Sequence, residues 1–560
     1  MERIFKEHYK RNTESLNGDW KFLPDFEDKG KDEEWFKSFP QNFRYVNVPS
    51  CWNIELDLAT HFGVSWYCKE FSCDECYLEI EFGAVSGLCE VYLDGEKLGE
   101  HYGGFTEFKF ATAVASGVHT LTLRVDASSN ELNTIPLQEV DWYHYGGIIR
   151  SVIINKYNAP FISSYKVSYS LSDDLKDAVV TFACDIKNPF DKDFDLPFEV
   201  LLNNKSIEKC EIKVLANGSY SFLKTVKLSN VELWNIGDAK LYEIRFEIDS
   251  DDIIDNIGFR KIETKGSQIY LNGKSITFKG VNRHEEHPDW GFAVPANITK
   301  RDIDIIKDLN CNIIRGAHYP QSKTLLDYLD REGIMFWSEI PIWGYPPKAL
   351  ADPLTLERGI EMHREMIEQY YHHPSIVIWG LHNEIFTETN EAYALTKAFS
   401  EFVRSQDSSR LITFATCRFD KDICLEFVDF VSLNYYMGWY SGTLNDWQGF
   451  IKGIRPKMME KGVGDKPVVM SEFGCAAIAG YDDFGHNKWT MQYQSDFIET
   501  VIRLAFAEEG FCGTFVWQFA DIVSDININR ARGFNNKGLV SEYRRPKTSY
   551  FTVKSLYSKL

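Results

Sequence analysis

About 290 residues at the C-terminal end follow one rhythm, eight short apolar runs separated by longer amphipathic stretches, and few folds accept it. The runs are SITFKGVNRH, CNIIRGAH, IMFWSEIP, SIVIWGLHNE, LITFATC, FVSLNYY, PVVMSEFG and GTFVWQFAD. Each is short, apolar and bounded by polar residues, which suits a strand buried on both faces of a parallel sheet. Between them, ERGIEMHREMIEQYY and QYQSDFIETVIRLAFAEE repeat apolar residues at three- and four-residue steps, the period of a helix. TKRDIDIIKDLN reads as a helix capped by Thr299, with Asp302 at the capping-box position. The pattern predicts a closed (β/α)8 TIM barrel over residues 263–560. A doubly wound open sheet is the alternative, but no G-x-G-x-x-G stands between a strand and a helix to support it.

The N-terminal part of the chain reads differently. A length of 560 residues exceeds one hydrophobic core, so further domains are required. Residues 1–157 carry runs such as YLEIEFGAV, CEVYLDG and HTLTLRVDA, which alternate apolar and polar side chains between Gly- and Asp-containing turns. They predict an all-β domain. Residues 158–262 hold ISSYKVSYSLS, DAVVTFACDIKN, PFEVLLNN, SYSFLKTVKLS and KLYEIRFEID at short intervals. That density of strands suits an immunoglobulin-like β-sandwich.

Charge and composition exclude several classes of function. The net charge is −21, which opposes binding to nucleic acid or to an anionic membrane surface. No apolar run reaches the ~18 residues of a membrane span, and the opening MERIFKEHYKRNTESL has no apolar signal core, so a cytoplasmic location is expected. Twelve cysteines are scattered singly apart from Cys73 and Cys76, whose lone C-x-x-C lacks the second pair or histidines of a zinc site. A reduced, intracellular protein is the simplest account.

Polar residues cluster where a barrel puts its pocket. The C-terminal ends of parallel barrel strands face one shared mouth. Strand one ends in Asn282, Arg283 and His284, strand two in Arg315 and His318, and strand three carries Glu339. Strand four ends in His382, Asn383 and Glu384, strand six in Asn434, Tyr435 and Tyr436. Strand seven carries Ser471 and Glu472, and strand eight ends in Trp517, Gln518 and Asp521. A single polar strand end is ordinary structure, since buried polar groups are hydrogen-bonded. Seven of the eight together define a pocket. Two glutamates in it, Glu384 and Glu472, are the minimum equipment for cleaving a glycosidic bond. Arg315 would balance and orient the nucleophilic one, while the general acid must have its pKa raised by burial and a neighbouring negative charge. Glu339 is the competitor for either role, or an ion-pair partner.

These strings resemble glycoside hydrolase family 2 over almost the whole chain. SLNGDWKF, GLCEVYLDGEKLGEHYGGFTEF, YGGIIRSV and GFRKIE resemble its jelly-roll opening, carbohydrate-domain core, first domain boundary and entry to the barrel. FKGVNRHE, NIIRGAHYP and WGLHNE are specific to it in combination. The resemblance implies that Glu384 is the general acid/base and Glu472 the nucleophile of a retaining double displacement that needs no cofactor and no metal. Asn383 would hydrogen-bond the 2-hydroxyl of the sugar, and His318 and Trp517 would line the same subsite.

Within the family, Asn535-Asn536-Lys537 resembles the N-x-K motif of β-glucuronidases, which implies that Asn535 and Lys537 bind the C6 carboxylate of the sugar. The charge argument agrees. A chain at −21 repels an anionic substrate, and salt screens that repulsion within ~8 Å, so a local cation must recognise it. NYYMGWY resembles the glucuronidase segment, which implies Tyr436 near the nucleophile, Tyr440 toward the carboxylate and Asn434 among the substrate-binding residues. Asp141, in EVDWYHYGG, resembles an aspartate that reaches from the first domain to the sugar hydroxyls. There are departures: Arg530 and Arg532 flank the position of the family's arginine without matching it, Tyr435 stands where an arginine is common, and the loop after strand three is short. The expected activity is exo-cleavage of β-glucuronides. β-Galacturonides, neutral β-galactosides and a non-catalytic carbohydrate-binding role are the alternatives. By analogy with the family, a homo-oligomer is expected.

Overall fold

The computed structural model describes residues 3–128, 132–137, 140–524 and 530–560. Antiparallel strands between Asn12 and Tyr157 form one sheet of four and one of six, packed face to face. The alternation dictates this packing. In Cys76–Phe82 the side chains of Leu78, Ile80 and Phe82 are buried, opposite Trp20, Phe22, Leu121 and Leu123 of the other sheet in one core. Cys73 and Cys76 sit at a corner where the chain passes between the sheets, with their Sγ atoms 3.3 Å apart. The next domain is a sandwich of three and four antiparallel strands running from Phe161 to Ile257. Ala178, Val180, Phe182, Cys184 and Ile186 line its core with a strict period of two.

The barrel is closed by eight parallel strands: β1 (Phe278–Arg283), β2 (Ile313–Gly316), β3 (Met335–Glu339), β4 (Ile376–Asn383), β5 (Leu411–Thr416), β6 (Val431–Asn434), β7 (Val468–Phe473) and β8 (Phe511–Val516). This is the predicted order. A three-stranded antiparallel sheet over residues 262–276 precedes β1, and its Ile262, Ile269 and Leu271 plug the N-terminal end of the barrel against Phe278, Trp337 and Phe515. The plugged end is closed, which leaves the other end for chemistry. Among the described residues, no helix is long and apolar enough to cross a membrane.

One helix start differs from expectation. The first barrel helix, α1, runs Ala296–Asp308 and begins after Pro295, with no side-chain cap. Thr299 therefore lies inside the helix, buried and without a cap hydrogen bond. Asp302 is fully buried between two arginines, accepting from Arg283 Nη2 at 2.9 Å and Arg544 Nε at 2.8 Å. A buried ion triad claims the residue that local spacing assigns to a cap.

Candidate active site

The polar strand ends divide into two groups. Some point outward or down and build the scaffold. Asn282 donates to the Ser471 carbonyl at 2.9 Å, Arg283 pairs with Asp302, His382 bonds Thr396 at 2.9 Å, and Tyr435 packs on Phe450. Asp521 is held by Lys547 at 2.8 Å. Five of the others, Glu384, Glu472, His318, Tyr436 and Trp517, line a cavity of about 480 Å³ at the barrel mouth together with Lys537.

Glu384 follows the last residue of β4 in the left-handed region, with φ 53°. A non-glycine residue held there is uncommon and marks a conformation that the surroundings impose. The turn swings its side chain from the strand into the cavity. Its Oε1 accepts from Asn434 Nδ2 at 2.8 Å. Burial, and next the charge of Glu472, push its carboxyl up to about 8. Glu472, on β7, accepts from Arg315 Nη1 at 2.7 Å on one oxygen and from the Tyr436 hydroxyl at 2.8 Å on the other. Arg315 acts on Glu384 only weakly, against burial and Glu472, so that carboxyl keeps its proton at neutral pH, while its neighbour is engaged directly by a guanidinium and a phenol.

Arg315 organises this floor. It is fully buried, stacks over Trp337 at 4.7 Å, and donates to Glu339 through Nε at 3.0 Å and Nη2 at 2.8 Å. Burial opposes its charge, but Glu339 and Glu472 carry the guanidinium above its ordinary value. Glu339 is thus the ion-pair partner of Arg315, outside the cavity lining. His318 Nδ1 lies 2.8 Å from Glu339, which directs its ring, and its other face stacks on Trp517 with centroids 5.0 Å apart. Burial, then Arg315, lower His318 to about 3, so the ring is neutral. The Asn383 Oδ1 is fixed by Arg315 at 2.8 Å and Asn434 at 3.1 Å, which leaves the buried Asn383 Nδ2 without a partner. Asn434 works from behind, bridging Asn383 and Glu384, with its Oδ1 accepting from Ser471.

The far wall comes from two loops. After β8 the chain turns back, and the buried Lys547 Nζ clamps it by donating to the carbonyls of Ala477 and Asn536 at 2.8 and 3.0 Å. This presents Lys537, which is only 1% exposed, with its ammonium donating to the Tyr440 hydroxyl at 2.7 Å. Lys537 forms no ion pair with a carboxylate among the described residues. Asp141 enters from the first domain. Its Oδ1 accepts from Arg530 Nε at 2.9 Å and its Oδ2 from Asn535 Nδ2 at 2.8 Å.

The Asn535 amide N–H is directed at Asp141, outside the cavity lining, and only its buried Oδ1 is left without a partner. Arg530, which does not match the family's arginine by position, lines the cavity; Trp343, Ser524 and Val140 do so as well. Trp343 is legible in the sequence only as one residue of the loop after β3; its bridge to Asn383 and edge contact with Trp142 are tertiary.

A barrel mouth holding two convergent carboxyls, one pushed up and one held by an arginine, is glycosidase architecture. Comparison with known sequences and structures gives the family. The profile described as "Glycosyl hydrolases family 2, TIM barrel domain" matches residues 262–560, the family's sugar binding domain matches 13–158, and its middle domain matches 161–260. The chain belongs to glycoside hydrolase family 2. It is 27% identical to a β-glucuronidase of Streptococcus agalactiae over 599 residues, covering 96% of this chain and 94% of that one. The crystal structure of a β-galacturonidase from Eisenbergiella tayi bound to galacturonate aligns with TM-score 0.91 and 31% identity, over 100% and 99% of the two chains. A Ruminococcus gnavus β-glucuronidase in complex with D-glucuronic acid aligns with TM-score 0.88 and 25% identity, over 99% of each.

Proposed function

We propose that this glycoside hydrolase removes β-D-glucuronosyl groups from the non-reducing end of conjugates or oligosaccharides by a retaining double displacement. The observation that carries the reading is Lys537. A buried ammonium with no counter-charge costs several kcal/mol, and a ligand carboxylate relieves that cost. A neutral sugar would leave it uncompensated. Relatives named as β-glucuronidases, and the glucuronate complex of the Ruminococcus gnavus enzyme, support the same class of substrate.

In this mechanism the sugar lies with C1 between Glu384 and Glu472 and its carboxylate toward Lys537 and Tyr440. Glu384 gives its proton to the leaving oxygen while the Glu472 carboxylate attacks C1, forming a glycosyl ester and releasing the alcohol. Glu384, now a carboxylate, takes a proton from water as that water attacks C1 and frees Glu472. Asn383 Nδ2 donates to the 2-hydroxyl, and the fixed dipoles around it need no reorganisation during the reaction. A second reading, a β-galacturonidase, is favoured by the Eisenbergiella tayi structure, which is bound to galacturonate. It differs only at C4.

A panel of p-nitrophenyl β-glycosides varied at C6 and C4 tests both. The uronides should exceed the neutral sugars in kcat/KM, and Lys537→Ala should cut uronide cleavage roughly 10- to 100-fold, the worth of one hydrogen bond to a charged group. A wild type that prefers the neutral galactoside, or a Lys537→Ala enzyme with an unchanged rate, sinks the carboxylate reading.

A further inference from the structure

We propose that the crevice between the edge of the first domain and the barrel wall is a second saccharide site, one that holds a uronate-type pyranose through Arg358. The crevice encloses about 330 Å³, within the range of small-ligand sites. Three features of its lining point to an occupant.

The first is a cation without an acid. Arg358, on the helix Pro353–Tyr370, donates from Nη1 to the Asn133 carbonyl at 2.8 Å and to its side-chain oxygen at 3.2 Å. Its guanidinium lies over the Tyr102 ring at 3.8 Å. No carboxylate pairs with it among the described residues. Asp126 lines the same crevice but is engaged by Arg124 and by the Ser128 backbone N–H. A guanidinium stacked on an aromatic ring keeps its forked donors in plane, which is the geometry that grips a carboxylate.

The second is an unpartnered hydroxyl. Ser86 is 6% exposed, lines the crevice, and its Oγ has no hydrogen-bond partner. A buried donor left unmade costs about 1–3 kcal/mol, and a ligand hydroxyl would recover it. The third is the surface around it. Tyr102, Phe105 and Tyr145 supply apolar ring surface to the lining, between the backbone of Gly87 and Gly104. A pyranose, apolar on its faces and polar at its rim, matches that mixture.

The crevice shares a wall with the catalytic cavity. Val140 and Asp141 line the catalytic side, and Trp142, His144 and Tyr145 line the other. A ligand in either cavity that shifts this segment changes the affinity of the other, and the coupling is reciprocal. Only the choice of a carboxylate-bearing sugar rests on the proposed uronide activity; the site itself does not.

The test uses the full-length enzyme, its Lys537→Ala and Arg358→Gln variants, and the double variant. Each is titrated with D-glucuronic acid, D-galacturonic acid and D-galactose by calorimetry and saturation-transfer NMR. Two uronate equivalents should bind the wild type, one each single variant, and none the double variant, with no galactose signal dependent on Arg358. Arg358→Gln should retain p-nitrophenyl glycoside cleavage within twofold. Ser86→Ala should weaken the Arg358-dependent event without removing it, which guards against a folding artefact. A digalacturonate that binds at least tenfold tighter than the monosaccharide marks a glycan as the source, whereas equal binding marks the free sugar acid. Uronate binding to the Lys537→Ala enzyme that survives Arg358→Gln, or a wild-type enzyme with no Arg358-dependent binding event, overturns the second site. Loss of the Lys537-dependent event alone bears on the catalytic reading and leaves this one standing.

Discussion

Arg315 joins Glu472 to Glu339 through one guanidinium, donating at 2.7 Å to the first and at 2.8 and 3.0 Å to the second. The pair is fully buried, so its geometry is set by the barrel and not by solvent. A planar fork can satisfy both carboxylates and Asn383 at once; an ammonium cannot.

Arg315→Lys should therefore fold but lose about 10²–10³ in kcat, the usual cost of removing one preorganised donor from a reacting centre. The check is steady-state kinetics beside thermal unfolding of the same preparation. A lysine enzyme within a few-fold of wild type would show that the fork is structural only.

The Glu384 carboxyl, raised to about 8 by burial and then by Glu472, sets a pH limit. The general acid works only while protonated, so kcat/KM should fall as pH rises through about 8. Stability follows the same sign. A carboxyl whose pKa is raised in the folded state contributes most below the ordinary carboxylate range, near ~4.3, and its contribution is lost as pH rises through about 8. Glu384→Gln should accordingly raise Tm relative to wild type at pH 9 and leave it unchanged at pH 4. It should also abolish the basic limb of the rate profile for substrates with good leaving groups.

Asp141 and Arg530 line the cavity from two different domains, and Asn535 donates to Asp141. In a pyranose, C4 lies across the ring from C1 and beside the carbon that bears C6. A cluster next to Lys537 is therefore placed to read the C4 hydroxyl. Asp141→Asn and Arg530→Gln should raise KM more than they lower kcat, and should change the glucuronide-to-galacturonide preference by at least roughly tenfold, since a site built for a hydroxyl discriminates strongly at that position. Parallel loss on both epimers would reduce the pair to a domain tether.

Asp302→Ala removes the shared close partner of Arg283 and Arg544 and leaves two buried cations with only the more distant Glu285, 3.9 Å from Arg283, and Glu286 to offset them. The expected cost is about 3–5 kcal/mol of stability, seen as a lowered denaturation midpoint with the surviving folded enzyme still active. A variant as stable as wild type would show that water or rearrangement replaces the carboxylate.

The architecture is legible in the sequence because periodicity carries it. Strands buried on both faces and amphipathic helices leave distinct patterns, and so do the two sandwiches. The floor of the site is legible for a related reason. A polar residue at the end of a buried apolar strand must either be hydrogen-bonded in place or face a cavity, and seven such ends at one mouth favour the cavity. The far wall is not legible. The neighbours of Asn535 in sequence are Asn536 and Lys537, but its hydrogen-bond partner, Asp141, is 394 positions away. Arg530 is ambiguous by spacing and decided by the same aspartate. Asp302 fails as a cap for that reason too, because Arg544 lies 242 positions away. Local rules misjudge a charged residue whenever a distant opposite charge is buried beside it.

The central claim, that Glu472 attacks a sugar protonated across the cavity by Glu384, is tested most directly by trapping. A 2-deoxy-2-fluoro-β-uronosyl fluoride slows both steps and spares its own fluoride leaving group from needing the acid. Mass spectrometry of digested enzyme should find one glycosyl adduct per chain, on the peptide carrying Glu472, and none in Glu472→Gln. An adduct on Glu339, or product of inverted configuration with no adduct at all, would contradict the mechanism.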